Sequence, residues 1–301
     1  MSLKPVPEEA QSDILNYLMW QRKQGKSDQT IEGRVRELRK LARLGILYDS
    51  EAVKTYLVNS DTQNTTKMKV VDTYTTFLDF KGLTWVAPRY RITTKLHFIP
   101  TEQEIDLLIA GCGKTTGIVL QTLKETGIRI GELCMLKWVD ISQEYRSLNV
   151  TPEKGSNPRI VKISEKLLAK INGLSHRHEP YVFQPRISMQ REYMRIQRKK
   201  VAEKLGNPRI LQIHFHTLRH WKGTMEYHKT KDIMHVRAIL GHKSINSTLI
   251  YINIEEALFN DSTDEWICKV AHNETEAIQL IEAGFQYVNN LGENAFYKKR
   301  K

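Results

Sequence analysis

The sequence predicts a mainly α-helical protein with a small β-sheet, an α+β fold arranged in two domains. Apolar residues recur at helical spacing through most of the chain, whereas residues 147–163 alternate as a β-hairpin does. The length of 301 residues exceeds what one small core usually needs. We expect a helical domain in residues 1–82, a linker in 83–97, a second domain in 98–259 and an appendage in 260–301.

The first domain shows four stretches of helical periodicity. They lie after Pro7, after Ser27, from about Ser50 to Val58 and from Thr65 to Phe80. Gly82 closes the fourth stretch, as expected of a glycine just beyond a helix. That these helices form one lobe of a larger single domain is the alternative.

The segment 83–97 has no clear periodicity. It contains Pro88 and the cations Arg89, Arg91 and Lys95. A proline and several charges without a pattern are typical of an interdomain linker.

The second domain begins with a helix for which Thr101 is the expected N-cap and Glu104 the capping-box partner. Further helices are predicted through Ile109, over 117–124 and from Ile130. Residues 147–152 and 159–163 predict two strands with a turn over Glu153–Pro158. Helices then dominate from Ser164 to about Phe259.

The last 41 residues predict a small α/β appendage. A strand is expected over 266–270, a helix capped by Asn273 over 274–283, and a strand pair over 286–288 and 295–297. The basic end, Lys298 to Lys301, is either a DNA contact or a solubilising tail.

The charge indicates a polyanionic partner. The formal net charge is +12 and the pI is about 9.5. The positive excess lies in residues 1–260, while residues 261–301 are slightly acidic. Nucleic acid is the first candidate, and a clamp formed by two basic parts fits this distribution better than a single basic tail.

The composition favours a cytoplasmic protein without a membrane partner. No apolar run approaches the roughly 20 residues of a membrane span, and residues 1–11 lack the core of a signal peptide. The cysteines Cys112, Cys134 and Cys268 are odd in number and far apart. They suit a reducing compartment and argue against a disulfide framework or a CxxC zinc site.

A set of polar motifs supplies the parts for phosphodiester transfer without a metal. That chemistry needs a nucleophile, cations for the non-bridging oxygens, and an acid for the leaving oxygen. The chain offers, in order, Arg129 after Gly127, a hairpin lysine, His216 and Arg219 on one helix face, His242, and Tyr251. Each motif alone is weak evidence for a catalytic site, because a single Arg is usually a surface residue and a single Tyr usually a packing residue. The whole set in this order is much less expected by chance.

These motifs identify a family resemblance. The segments TGIRIGEL, the hairpin lysine, HTLRH, LGH and TLIY resemble the tyrosine recombinases, a family that includes phage integrases and chromosome-dimer resolvases. The amino-acid sequence of residues 214–252 is most similar to those of archaeal integrases. The motifs cover residues 98–259, and residues 1–82 match by architecture only. The resemblance implies an N-terminal helical core-binding domain and a tyrosine-recombinase catalytic domain.

The resemblance also implies a role for each matched residue. Tyr251 is the nucleophile of a 3′-phosphotyrosyl intermediate, and Arg129 and Arg219 hold the phosphate. The remaining roles are protonation of the 5′ oxygen by Lys154, proton transfer at the tyrosine by His216, a phosphate hydrogen bond from His242, and support of the site by Glu132. A covalent intermediate keeps the bond energy, so neither a metal, ATP nor another cofactor is expected.

Assembly follows from the same resemblance. A homotetramer on paired recombination sites is expected, and delivery of Tyr251 within its own subunit or to a neighbour stays open. Two departures from the family pattern occur: the bulky Trp221 follows His220, and Ile252 and Asn253 follow the tyrosine where a histidine is common. Neither removes a catalytic group.

Other functions were weighed against this one. Residues 111–116 suggest a phosphate loop, but the pattern needs a glycine where Leu108 stands. The histidines of residues 214–242 suggest a metal nuclease, but few carboxylates accompany them. A non-catalytic DNA-binding protein of this fold, or an enzyme similar to type IB topoisomerases, is the serious alternative.

Overall fold

The computed structural model describes residues 5–93, 95–153, 155–259, 266–292 and 294–300. The chain forms two compact units, Met1–Lys95 and Leu96–Lys301. Lys154, one of the predicted site residues, lies outside the described residues.

The first unit contains four helices with one shared core. They are α1 (Glu8–Lys23), α2 (Asp28–Arg43), α3 (Ser50–Asn59) and α4 (Asn64–Lys81). Ser27 caps α2 and Asp49 caps α3 by accepting backbone N–H groups, and Gly82 ends α4 in the left-handed conformation. Tyr17 and Phe77 are fully buried where the helices meet.

The segment after α4 is irregular, but part of it belongs to the first core. Trp85 and Tyr90 pack against that core, and Trp85 Nε1 donates to Thr75 Oγ1 at 3.0 Å. The Trp85 ring also meets Tyr74 edge-on. The aromatic residues of the predicted linker therefore anchor its first part.

The second unit contains most of the secondary structure. Its helices are α5 (Glu102–Gly111), α6 (Lys114–Thr126), α7 (Ile130–Cys134), α8 (Glu165–Asn172), α9 (Ile187–Leu205), α10 (Phe215–Thr230), α11 (Ile233–Leu240), α12 (Asn246–Phe259) and α13 (Glu274–Glu282). Its strands are β1 (Ile141–Ser142), β2 (Ser147–Val150), β3 (Arg159–Lys162), β4 (Trp266–Ala271), β5 (Gln286–Leu291) and β6 (Asn294–Arg300). Two short 3₁₀ helices, Trp138–Asp140 and Pro208–Gln212, complete it.

Helix α6 lies at the centre of this unit. Ile118, Val119, Leu120 and Leu123 are all buried, so the helix is enclosed on several sides rather than along one stripe. It packs against α5, α8, α9 and α10. The helix ends at Gly127, so the chain that follows, which includes Arg129, starts beside α10.

The first sheet is antiparallel, in the order β1–β2–β3. Leu148 pairs with Val161 at the centre of the predicted hairpin, with the turn where it was expected. The sequence analysis missed β1, because a strand of two residues is too short to show alternation. The capping box of Thr101 and Glu104 is present as predicted.

The C-terminal residues form a second antiparallel sheet in the order β4–β6–β5, with α13 against it. Asn273 caps α13 as predicted. Ala271, Phe285 and Tyr297 make its small core. The fold class is confirmed: the protein is mainly helical with small antiparallel sheets. Among the described residues, no helix is both long and apolar enough to cross a membrane.

Candidate active site

The predicted residues of the second unit meet where α7, α10, α12 and the turn after α11 come together. Arg129, Glu132, Arg219, His242 and Tyr251 influence one another electrostatically there. The exposed His216 touches this group through the ring of His220.

Arg219 is a cation enclosed by two turns. Its Nη1 donates to the carbonyl oxygen of Gly127 at 2.7 Å, and its Nη2 donates to that of Leu240 at 2.6 Å. Burial, followed by repulsion from Arg129, lowers its pKa to about 10. It therefore stays charged at neutral pH, and the two carbonyls fix its position.

The turn at Gly127 requires glycine for two reasons. Its φ is +65°, a conformation that residues with a side chain rarely adopt. An added Cβ would lie 2.8 Å from Cδ2 of Leu240. The absence of a side chain therefore lets the turns after α6 and α11 approach Arg219 together.

Glu132 holds two arginines. Its carboxylate accepts from the backbone N–H of Arg129 at 2.8 Å and from Nη2 of Arg159 at 2.7 Å. Burial disfavours its charged form, but the hydrogen bonds from Arg159 and from the Arg129 backbone outweigh this and lower its pKa. Arg129 Nη1 also contacts the Ser156 hydroxyl in the hairpin turn. Because Arg129 Nη1 also lies 3.3 Å from Oε1 of Glu132, Glu132 and Ser156 together place the Arg129 side chain.

Arg159 is a site residue that the sequence analysis missed. Its side chain is nearly fully buried, it pairs with Glu132, and its Nε donates to the carbonyl of Ile239 at 2.9 Å. In the sequence it is the first residue of a predicted strand. An arginine that directly follows the turn with the predicted catalytic lysine was the available signal.

His242 follows α11 and is buried. Its Nδ1 bonds to the Thr248 hydroxyl at 2.9 Å. Burial, and then the charges of Arg219 and Arg129, lower its pKa to about 4, so the ring is neutral near pH 7. The N–H of Asn157 donates to the carbonyl of Gly241 at 3.0 Å, which ties the hairpin turn to this turn.

Tyr251 lies on α12 and is 1% exposed. Its ring packs with Val236, Leu240 and Ile254. Burial raises its pKa to about 12, although the nearby cations Arg219 and Arg129 oppose that rise. The hydroxyl is protonated at neutral pH and sits in the positive field of two arginines.

His220 is the residue bonded to the Tyr251 hydroxyl, with its Nδ1 3.4 Å from that oxygen. Burial, followed by the neighbouring His216 and His97, lowers its pKa to about 3. His220 belongs to the HTLRH motif, but the family resemblance gives it no role. Its spacing of four residues from His216, on the same face of a helix, was the signal that it belongs to the site.

The charges of the site favour an anion. Arg129, Arg159 and Arg219 surround one carboxylate, that of Glu132. The arrangement therefore carries an excess of positive charge, and arginine side chains suit a phosphate. Among the described residues, no cluster of three or more His, Cys, Asp or Glu side chains could hold a metal ion.

The suspected phosphate loop is a helix connection. Residue 111 ends α5 and residue 114 begins α6, so helices lie on both sides of it. A phosphate loop follows a strand, and this segment does not.

Comparisons with known proteins agree on one family. The model of the Phage integrase family matches residues 100–257, more than half of the chain. The tyrosine recombinase XerA of Pyrococcus furiosus is 29% identical over 195 residues, which cover 62% of this chain and 68% of the relative. The expected resemblance, including its archaeal character, is confirmed.

Solved structures share the fold. The Tn1549 transposon integrase in complex with transposon right end DNA matches with a TM-score of 0.62 at 17% identity, covering 90% of this chain and 98% of that chain. A lambda integrase tetramer bound to a Holliday junction matches with a TM-score of 0.59 at 18% identity, covering 78% and 77%.

Proposed function

Because the chain belongs to the phage integrase family and is a site-specific tyrosine recombinase, we propose that it cleaves and rejoins duplex DNA through Tyr251. The observation that carries this proposal is the Tyr251 hydroxyl itself. It is enclosed, hydrogen-bonded to His220, and lies in the field of Arg219 and Arg129. A tyrosine that served packing alone would not need a buried arginine, Arg219, and a half-buried one, Arg129, beside it.

The proposed reaction exchanges one ester for another. The phenolic oxygen of Tyr251 attacks phosphorus, the bond from phosphorus to the 5′ oxygen breaks, and a 3′-phosphotyrosyl ester forms. The phenol proton goes to His216, the residue to which the family resemblance gives this role. Lys154 protonates the 5′ oxygen; this role rests on the sequence motif. The reverse steps reseal the strand without ATP.

The other residues hold the phosphate. Arg129 and Arg219 neutralise the non-bridging oxygens, and Glu132 keeps Arg129 in place. His242 uses Nδ1 for Thr248, so its Nε2 is the nitrogen that would donate to the phosphate. These cations occupy the role that a metal ion has in other phosphoryl transfers, and we propose that no metal takes part.

The proposed partner is double-stranded DNA, and the proposed assembly is a homotetramer on paired sites. The net charge of +12 and the DNA-bound relatives support the first part. The lambda integrase tetramer on a Holliday junction supports the second. Tyr251 packs beside the arginines of its own chain, which supports cleavage within one subunit.

The test is covalent capture on a nicked suicide substrate in the presence of EDTA. The wild-type protein should form an adduct that survives denaturation, and Tyr251→Phe should form none while binding DNA with similar affinity. Tyr227→Phe, a nearby tyrosine on α10, is the matched control and should still form the adduct. An adduct on Tyr251→Phe, or a requirement for divalent metal, would refute the proposal.

A further inference from the structure

Two histidines without a role in the proposed mechanism lie one behind the other at the Tyr251 hydroxyl. His220 Nδ1 is 3.4 Å from that hydroxyl. The ring of His97 stacks on His220, with centroids 3.8 Å apart and planes 16° apart. His97 is exposed, whereas His220 is half-buried. His97 therefore covers one face of the ring that meets the nucleophile.

The position of His220 needs this support. A separation of 3.4 Å is already long for a hydrogen bond from a hydroxyl, so a small displacement would break it. Rotation of an imidazole about χ2 has broad minima, which leaves the ring plane poorly defined by its own torsions. His216 meets His220 edge-on at 4.6 Å. The stacked contact with His97 is closer, at 3.8 Å, and its parallel geometry restrains the ring plane.

His97 is itself held by its neighbours in sequence. Phe98 packs against the main core of the second unit. Ile99 packs against both that core and the cluster that contains Tyr251. The short segment before α5 is thus anchored to both clusters, and His97 comes directly before these anchoring residues.

We propose that His97 is a positioning residue for strand cleavage. It stacks on His220 and so keeps Nδ1 of His220 at the hydroxyl of Tyr251, which orients the oxygen for attack on phosphorus. The inference rests on the proposed function of Tyr251. It assigns a role in the reaction to a residue outside the motifs of the sequence analysis.

The first experiment compares substitutions that remove or keep an aromatic ring. In single-turnover capture on the nicked substrate, His97→Leu should form the adduct about 10- to 100-fold more slowly, the loss expected when a reacting group is misplaced. His97→Phe, which restores a ring that stacks, should recover most of the rate. Both variants should bind DNA as the wild-type protein does. Leu96→Ala, an exposed neighbour, is the control and should keep the full rate.

The second experiment asks whether His97 acts through His220. His220→Ala should also slow adduct formation. If the two residues work as one unit, adding His97→Ala to His220→Ala should cause no further loss. Effects that multiply would show that His97 acts elsewhere and would overturn the inference.

Further outcomes separate this inference from the proposed function. A wild-type rate for His97→Leu, or a loss of DNA affinity that accounts for the slower rate, would refute the role of His97 while leaving Tyr251 as nucleophile. Persistence of the adduct in Tyr251→Phe would instead refute the proposed function. If His97→Ala does not fold, the adduct rates of His97→Leu and His97→Phe still test the inference, because both variants keep a bulky side chain at position 97.

Discussion

At the scale of single residues, buried charge defines the site. Arg219 is bonded to two backbone carbonyls, and Glu132 is shared by Arg129 and Arg159. The cations outnumber the carboxylate, and burial weakens the screening of each charge by water. An anion bound here would balance this charge, and the hydrogen bonds hold the arginines in place without one.

Gly223 on α10 tests how closely Tyr251 is confined. A Cβ at this position would lie 2.5 Å from Cζ of Tyr251, so Gly223→Ala must displace the ring. We expect covalent capture to slow by about 10- to 100-fold because the hydroxyl moves away from its partners. Rate measurements on the nicked substrate, at saturating protein, check this.

Gly33 offers the matched control. It also lies inside a helix, but a Cβ there would meet nothing within 4 Å. Gly33→Ala should therefore leave capture unchanged and stabilise the protein by up to about 1 kcal/mol through helix propensity. Equal capture by the two alanine variants would show that Tyr251 has room to adjust.

At the scale of elements, α12 holds Tyr251 against α10. Thr248, Tyr251, Ile254 and Glu255 are buried, and their spacing places them on one face of the helix. Thr248 orients His242, while Glu255 accepts from His228 Nδ1 at 2.8 Å and from Lys231 Nζ at 2.5 Å. The same face of α12 therefore carries the site residues and Glu255, whose bonds to His228 and Lys231 attach the helix to the end of α10.

Glu255→Gln should loosen α12. Burial opposes the charge of Glu255, but the bonds from Lys231 and His228 outweigh it and lower its pKa. A carboxylate with a lowered pKa stabilises the fold above its unfolded pKa, about 4.3, and loses that effect as pH falls further. We expect a loss of about 1 kcal/mol at pH 7, seen as faster hydrogen exchange in residues 246–259, which shrinks below pH 4.

The exposed neighbour Glu256 is the control for this experiment. Glu256→Gln should leave the exchange rates of α12 unchanged at both pH values. If the destabilisation by Glu255→Gln stayed constant down to pH 3, the stabilisation of α12 by Glu255 could not come from its ion pairs with Lys231 and His228.

At the scale of the whole molecule, positive charge is distributed over both units. The net charge is +12, and Lys and Arg exceed Asp and Glu in residues 1–97 as well as in 98–260. DNA binding that neutralises phosphates releases counterions, and each contact steepens the dependence on salt.

We therefore expect the affinity of the full chain for duplex DNA to fall about 10³- to 10⁵-fold between 50 and 200 mM salt, as for roughly 6–10 phosphate contacts. Titrations by fluorescence anisotropy at several salt concentrations measure the slope. A slope near zero would mean that few phosphates are contacted and that the charge serves another purpose.

The sequence by itself determined the features that depend only on residues close together in the chain. The helix stretches, the capping box of Thr101 and Glu104, the hairpin at 147–163 and the family motifs are all local patterns, and the structure contains them. The family resemblance gave Glu132 a supporting role, and the ion pair with Arg129 joins residues only three positions apart. The two-residue strand β1 was missed because it is too short to have a pattern.

Only the tertiary structure decided which distant groups contact one another in the site. Arg219 bonds to Gly127, 92 residues away in sequence, and Arg159 pairs with Glu132, 27 residues away. The stack of His97 on His220 likewise joins separate segments. Such contacts arise from how α6, α10 and the turns pack in three dimensions. Since packing depends on the whole core, no local spacing in the sequence specifies them.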